Sequence, residues 1–194
     1  MKKRVFIVHG WDGYPEEGWF PWLKKELKKR NFKVFVPSMP NPDEPTIDAW
    51  IQFLKKQVGN PDKETFFVGH SIGCQAILRY LKSLPQEKRV GGTIFVAGWI
   101  HLLPEAREEK GAEEIAKPWL ETPILWNKII KHTNNFVAIF SDNDPFVPKE
   151  DSKIFKEKLN ARIILETDKG HFSGSDNINE FPTVLNSLLE ISKK

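Results

Sequence analysis

Thr65-Phe66-Phe67-Val68-Gly69-His70-Ser71-Ile72-Gly73 is the stretch on which the reading of this chain turns. An apolar run of strand type, Thr65 to Val68, feeds without a break into Gly69-His70-Ser71-Ile72-Gly73 and then into a segment of helical character. That is the setting of a serine nucleophile elbow, where a buried strand turns sharply into a helix. The turn forces the serine into a strained backbone conformation that only small neighbours permit, here Gly69 and Gly73. Ser71 Oγ then stands exposed above the sheet edge. The backbone N–H of Ile72, at the helix start, points where a tetrahedral oxyanion would form.

Outward from the elbow, short apolar runs alternate with longer segments of helical period, the pattern of strand–helix crossovers and a parallel sheet. Six strands are predicted: Arg4 to Val8, Val34 to Val36, Thr65 to Val68, Thr93 to Ala97, Phe136 to Phe140 and Arg162 to Leu165. Their hydrophobicity is continuous rather than alternating, so both faces of the sheet should be covered. Helices are predicted over Trp19 to Arg30, Ile47 to Val58, Ile72 to Leu84, about Ile124 to His132, Lys149 to Leu159 and Ile178 to Ser192. Pro37, Pro40, Pro42 and Pro45 make the link after the second strand stiff and extended. The expected fold is a single α/β domain over all 194 residues, a three-layer sandwich with about six parallel strands in the order 2-1-3-4-5-6. Residues 99 to 123 form an unusually long connection after the strand next to the elbow strand. Trp99, Leu102, Leu103, Trp119 and Leu120 frame the charged Glu105-Ala106-Arg107-Glu108-Glu109-Lys110, which suits a small cap or pocket wall; the competing reading is a decorated crossover helix. With so little chain left over, the pocket should be small.

Composition excludes several functions. The charge of +3 comes from 29 basic and 26 acidic residues spread along the sequence, so no patch argues for nucleic acid. No stretch approaches the roughly 20 apolar residues that span a bilayer. The single cysteine, Cys74, cannot form an internal disulfide, which fits a reducing compartment and a cytoplasmic protein. One residue past the elbow, it reads as a small residue packing a helix onto the sheet. The histidines are scattered without metal-binding spacing, so no metal is expected.

A serine nucleophile needs a base, and the base needs an acid to hold its tautomer. After the fifth strand comes Ser141-Asp142-Asn143-Asp144-Pro145-Phe146-Val147-Pro148, and after the sixth comes Gly170-His171-Phe172. The chain order serine, acid, histidine is that of the α/β-hydrolase arrangement. Of five histidines only His171 follows the last strand, in a Gly-flanked turn that can carry it over Ser71. Asp144 is preferred to Asp142 as the acid, because Asp142 suits bonding of the turn's own backbone. Pro148 is read as opening the next helix. The second oxyanion donor is expected from His9-Gly10-Trp11-Asp12-Gly13, specifically the Trp11 N–H. The pocket wall is expected to draw on His9, Gly10, Trp11, His70, Trp99 and Trp119, with Trp19 or Trp22 beside the Trp11 indole. His70, at the variable position of the elbow, should point away from the serine.

These residues resemble the α/β-hydrolase superfamily, and within it the small serine hydrolases related to retinoblastoma-binding protein 9. The resemblance covers nearly the whole chain through His9-Gly10-Trp11, Trp19-Phe20-Pro21-Trp22-Leu23, Pro37-Ser38-Met39-Pro40, Gly69-His70-Ser71-Ile72-Gly73, Asp144-Pro145 and Gly170-His171-Phe172. It implies a compact, cofactor-free hydrolase with Ser71 as nucleophile, Asp144 as acid and His171 as base. The family name reflects a Leu-x-Cys-x-Glu signature that this chain lacks, so a retinoblastoma-type partner is not supported. The expected activity is carboxylesterase-like cleavage of small ester, thioester or activated amide substrates. Its rivals are a hydrolase-fold interaction protein with little turnover, and lyase or acyl-transfer chemistry by the same residues.

Overall fold

The computed structural model describes residues 2–108 and 111–193. Glu109 and Lys110, part of the charged middle of the expected cap, lie outside the described residues. Strands β1 (Arg4–Val8), β2 (Lys33–Phe35), β3 (Thr65–His70), β4 (Gly92–Val96), β5 (Phe136–Ser141) and β6 (Arg162–Glu166) form one parallel sheet in the order β2-β1-β3-β4-β5-β6. The α/β architecture and strand order are those expected.

Side chains alternate across each strand, so every strand feeds two cores. In β1, Val5 and Ile7 join Phe20, Leu23 and Leu27 of α1 (Phe20–Lys29) and Val184, Leu185 and Leu188 of the last helix (Pro182–Ile191). Phe6 and Val8 join the opposite core, with Trp50 and Leu54 of α2 (Ile47–Val58) and Ile77 and Tyr80 of α3 (Ile72–Lys82). β3, β4 and β5 are buried along their length, which is why they read as unbroken apolar runs. Each fully buried large apolar side chain stabilises the fold by about 1.5–3 kcal/mol over its exposed form.

Within 99–123 the chain forms a short 3-10 helix, Pro104–Arg107, and then α4 (Ala112–Glu121), which opens on Gly111 at φ +90°. The helix expected near 124–132 contracts to one turn, α5 (Trp126–Ile129), because the chain beyond it tightens into i→i+3 bonds such as His132 N–H to Ile129 O. Next, α6 (Asp151–Leu159) starts later than Pro148, which instead accepts a turn bond from Asp151 N–H. The last helix, α7, begins at Pro182 rather than Ile178 because Phe181, the residue before a proline, stands at φ −137° and ψ 78°, outside the range of a right-handed helix.

β1 and β3 are neighbours, yet the helices that follow them, α1 and α3, pack on opposite faces of the sheet. Their loops diverge and open a crevice at the carboxyl ends of the strands, the switch point of a doubly wound sheet.

Candidate active site

Ser71 has φ 52° and ψ −123°, a conformation that costs a non-glycine residue about 1–3 kcal/mol and persists only where its surroundings impose it. They do: Ser71 N–H bonds Val96 O at 2.9 Å, and Ser71 O accepts Cys74 N–H at 2.9 Å. Behind the turn, α3 lies directly on β1. A Cβ at Gly73 would stand 2.4 Å from Val8 O and 2.6 Å from His9 O, both backbone atoms unable to step aside. We therefore expect Gly73→Ala to destabilise the protein by about 3 kcal/mol, read as a lowered urea midpoint at unchanged m-value. An unmoved midpoint would show that α3 lifts off β1 at no cost.

The loops after β5 and β6 are stitched together. Asp142 Oδ1 accepts Asp168 N–H, Ser141 Oγ accepts Lys169 N–H and Asn143 Oδ1 accepts Gly170 N–H, at 3.0, 3.1 and 2.8 Å. Asp142 thus braces the neighbouring loop rather than its own turn. The stitching carries His171 to Asp144, whose Oδ2 lies 2.9 Å from His171 Nδ1. Asp144 Oδ1 also accepts the N–H groups of Phe146 and Val147 at 2.9 and 3.1 Å, which fixes the carboxylate. An acceptor on Nδ1 places the ring proton there and leaves Nε2 unprotonated. Among the described residues Nε2 has no hydrogen-bond partner, and no hydrogen bond joins His171 to Ser71 Oγ. Both residues line one cavity of about 450 Å³, in the lower part of the range for ligand sites.

Gly10 and Trp11 line it too, with His70, Trp99 and Phe146. The β1 loop approaches the elbow closely, since a Cβ on Gly10 would sit 3.4 Å from Ser71 Cβ. It is pinned to the proline-rich link by Asp12 N–H to Pro42 O at 2.7 Å and Trp11 Nε1–H to Asp43 O at 2.9 Å. The backbone N–H groups of Trp11 and Ile72 meet no carbonyl among the described residues. From the 99–123 segment, Trp99, Leu102, Glu105, Ala106 and Ala112 reach the cavity wall.

Two expected wall residues lie elsewhere. His9 is fully buried beneath the loop, where Nε2 accepts Met39 N–H at 2.9 Å. Trp119 is drawn inward by its indole, which donates to Pro45 O at 2.8 Å, and by the Arg79 guanidinium over its ring. Trp19 is also off the wall, its indole bonded to Phe172 O at 2.9 Å. In contrast, Glu17, Phe146 and Ser173 line the cavity without having been singled out. Phe146 stands edge-on to His171, ring centroids 5.2 Å apart. Nothing in Pro15-Glu16-Glu17-Gly18 distinguishes Glu17 from a surface carboxylate.

His70 does not simply turn away. Its Nε2–H donates to the carbonyl of His171 at 2.7 Å, wedged edge-on against Trp19 and Phe20. Burial, with the like charge of His171 second, pushes its pKa down to about 3. Between that value and the ordinary 6.5 the unfolded chain binds a proton that the folded protein refuses, so His70 destabilises the fold increasingly as pH falls through this window. Burial lowers His9 in the same direction. We expect His70→Gln, which keeps an N–H donor and removes the titration, to lose less stability than wild type between pH 7 and 4.5. The difference should be on the order of 2 kcal/mol, measured by chemical denaturation at each pH. Parallel pH profiles would overturn this account of His70.

Cys74 is buried against Val96 O, and burial raises its thiol well above the usual range, so it is no rival nucleophile. Among the described residues no group of three or more His, Cys, Asp or Glu side chains is arranged to hold a metal, and no helix is long and apolar enough to cross a membrane.

A family model described as serine hydrolase matches residues 5–190. YdeN of Bacillus subtilis is 30% identical over 194 residues, covering 100% of this chain and 98% of its own. The crystal structure of that ydeN product superposes with a TM-score of 0.90 over 99% of this chain and 100% of its own. The rat serine hydrolase RBBP9 is 27% identical over 173 residues, 89% of this chain and 87% of its own. Est1E of Butyrivibrio proteoclasticus, solved with ferulic acid, shares the fold at 14% identity, with a TM-score of 0.73 over 99% of this chain and 90% of its own.

Proposed function

The chain belongs to the serine hydrolase family, and from that membership we propose that it cleaves small ester, thioester or activated amide bonds through an acyl-enzyme on Ser71. The observation that carries the reading is the Asp144–His171 pair, 2.9 Å across, sharing one cavity with a serine held at φ 52°. In the proposed reaction Ser71 Oγ attacks the carbonyl carbon as His171 Nε2 takes its proton. The new alkoxide is received by the N–H groups of Trp11 and Ile72, two donors with no other carbonyl to serve. The bond to the leaving group breaks, and the imidazolium returns the proton to it. Water then attacks the acyl carbon with His171 again as base, and the acid departs as Ser71 is reprotonated. Asp144 holds the imidazole in the required tautomer and faces its positive form. In this reading the described residues of the 99–123 segment, through Trp99, Leu102, Glu105, Ala106 and Ala112, act as the cap of a single domain at the cavity wall. No cofactor enters this chemistry.

Fluorophosphonate labelling of the pure protein with peptide mapping tests the proposal. A single adduct on Ser71 that disappears in His171→Ala is the expected result. A folded protein that takes no label would favour the rival reading, an interaction protein built on a hydrolase fold.

A further inference from the structure

Three carboxylates line the cavity beside Ser71, those of Asp12, Glu17 and Glu105, and none of its described lining residues is lysine or arginine. That polarity runs against a chain whose net charge is +3. Asp12 and Glu105 are exposed, where solvent and salt screen them. Glu17 is half-buried, and its Oε2 is sealed from water with no hydrogen-bond partner among the described residues. Gly13 makes room for it, since a Cβ there would lie 2.8 Å from Oε2.

A second buried atom points the same way independently. His70 is 3% exposed and lines the cavity, and its Nδ1 is sealed with no partner among the described residues. Because Nε2–H donates to His171 O, Nδ1 carries a lone pair and can only accept. It lies 3.1 Å from the Cβ position of Gly10. The Gly10–Gly13 turn is therefore flanked by two acceptor atoms, Glu17 Oε2 and His70 Nδ1, and among the described residues neither atom has a donor. Buried acceptors left unpaired are costly, and positive charge brought beside the turn offsets that cost at both.

Resting on the hydrolase reading above, we propose that the substrate carries an ammonium group, drawn electrostatically toward the Glu17 carboxylate and the lone pair of His70 Nδ1, and that Glu17 sorts cationic substrates from neutral and anionic ones. Burial raises the Glu17 carboxyl above its ordinary range, and a cation bound beside it reverses that rise. The same electrostatics disfavours phosphate-bearing leaving groups, so thioesters of anionic carriers are poor substrates.

Isosteric esters differing only in charge test this. Dimethylaminoethyl, isopentyl and carboxyethyl butyrate vary the alcohol. The methyl esters of dimethylaminobutyric and isoheptanoic acids, with monomethyl glutarate, vary the acyl group. At neutral pH the ammonium ester should exceed its neutral isostere in kcat/KM by about tenfold in at least one series, with the carboxylate below both. In Glu17→Gln the cation-to-neutral ratio should shrink about fivefold or more. A neutral ester equal to the cation in both series, or a ratio that survives Glu17→Gln, overturns the proposal. Should that variant not fold, the wild-type ranking decides. Calorimetric titration of Ser71→Ala with the same compounds separates the two readings. Tighter binding of the cation without wild-type turnover would sink the esterase reading and keep the charge preference, whereas turnover without charge ranking would do the reverse.

Discussion

Ser71→Ala is expected to hydrolyse short-chain esters about ten thousand to a million times more slowly than the wild-type protein, with folding intact. The size follows from what the residue would do. Without Oγ no acyl-enzyme forms, and the remaining catalysis is direct attack of water on a carbonyl polarised by the Trp11 and Ile72 amides. Stability should not fall with activity, because the strain at Ser71, φ 52°, is imposed by the bonds to Val96 O and Cys74 N and exists in either residue. His171→Ala should fall as far, and the double variant little further, since a nucleophile and its base fail as a unit. His171→Ala retaining a tenth of the activity would mean that something other than His171 takes the serine proton.

The second large effect separates two aspartates two positions apart. Asp144→Asn should lose about ten-thousandfold in kcat. The substituted amide can turn an N–H toward His171 Nδ1, which then must accept and shifts its proton to Nε2, where a base for Ser71 is needed. The backbone bonds from Phe146 and Val147 to Oδ1 survive in Asn, so the loop holds its shape and the loss is one of tautomer rather than structure. Asp142 accepts a single N–H, that of Asp168, at 3.0 Å and at an exposed position. Its replacement by Asn keeps an acceptor and should cost less than about tenfold. Equal losses in kcat would overturn the assignment of the acid.

How far the sequence foretold this molecule depends on which physical signal each part leaves. β1 and α2 fall on the expected residues, Arg4–Val8 and Ile47–Val58, because burial on both faces or along one helical stripe writes a periodic pattern. The start of α7 was misplaced because the apolar pattern runs on from Ile178 through Phe181, although Pro182, which suits a first turn and disfavours helical backbone before it, marks the true start. Chain order put Ser71, Asp144 and His171 at strand ends, and there they meet or share a cavity. Side-chain direction was less legible. His9 and Trp119 belong to the expected loops, yet carbonyl and amide groups of the stiff proline segment turn both rings inward. Prolines have no N–H, so that segment offers acceptors in excess and attracts indole donors from Trp11, Trp50 and Trp119. Glu17 was invisible for the opposite reason: its character comes from a sealed environment that no neighbouring residue announces.

β6 is one of the two edge strands of the sheet and the least buried strand, with Leu165 56% exposed, and the loop behind it holds His171. On the proposed roles, the serine and both oxyanion amides belong to the first half of the chain, while acid and base arrive only when the last two strands dock. A nascent chain still threading through the ribosome, or one clipped after β4, would thus own a complete elbow and no means of firing it. Hydrolytic competence becomes a certificate of finished synthesis, withheld until the final edge has closed.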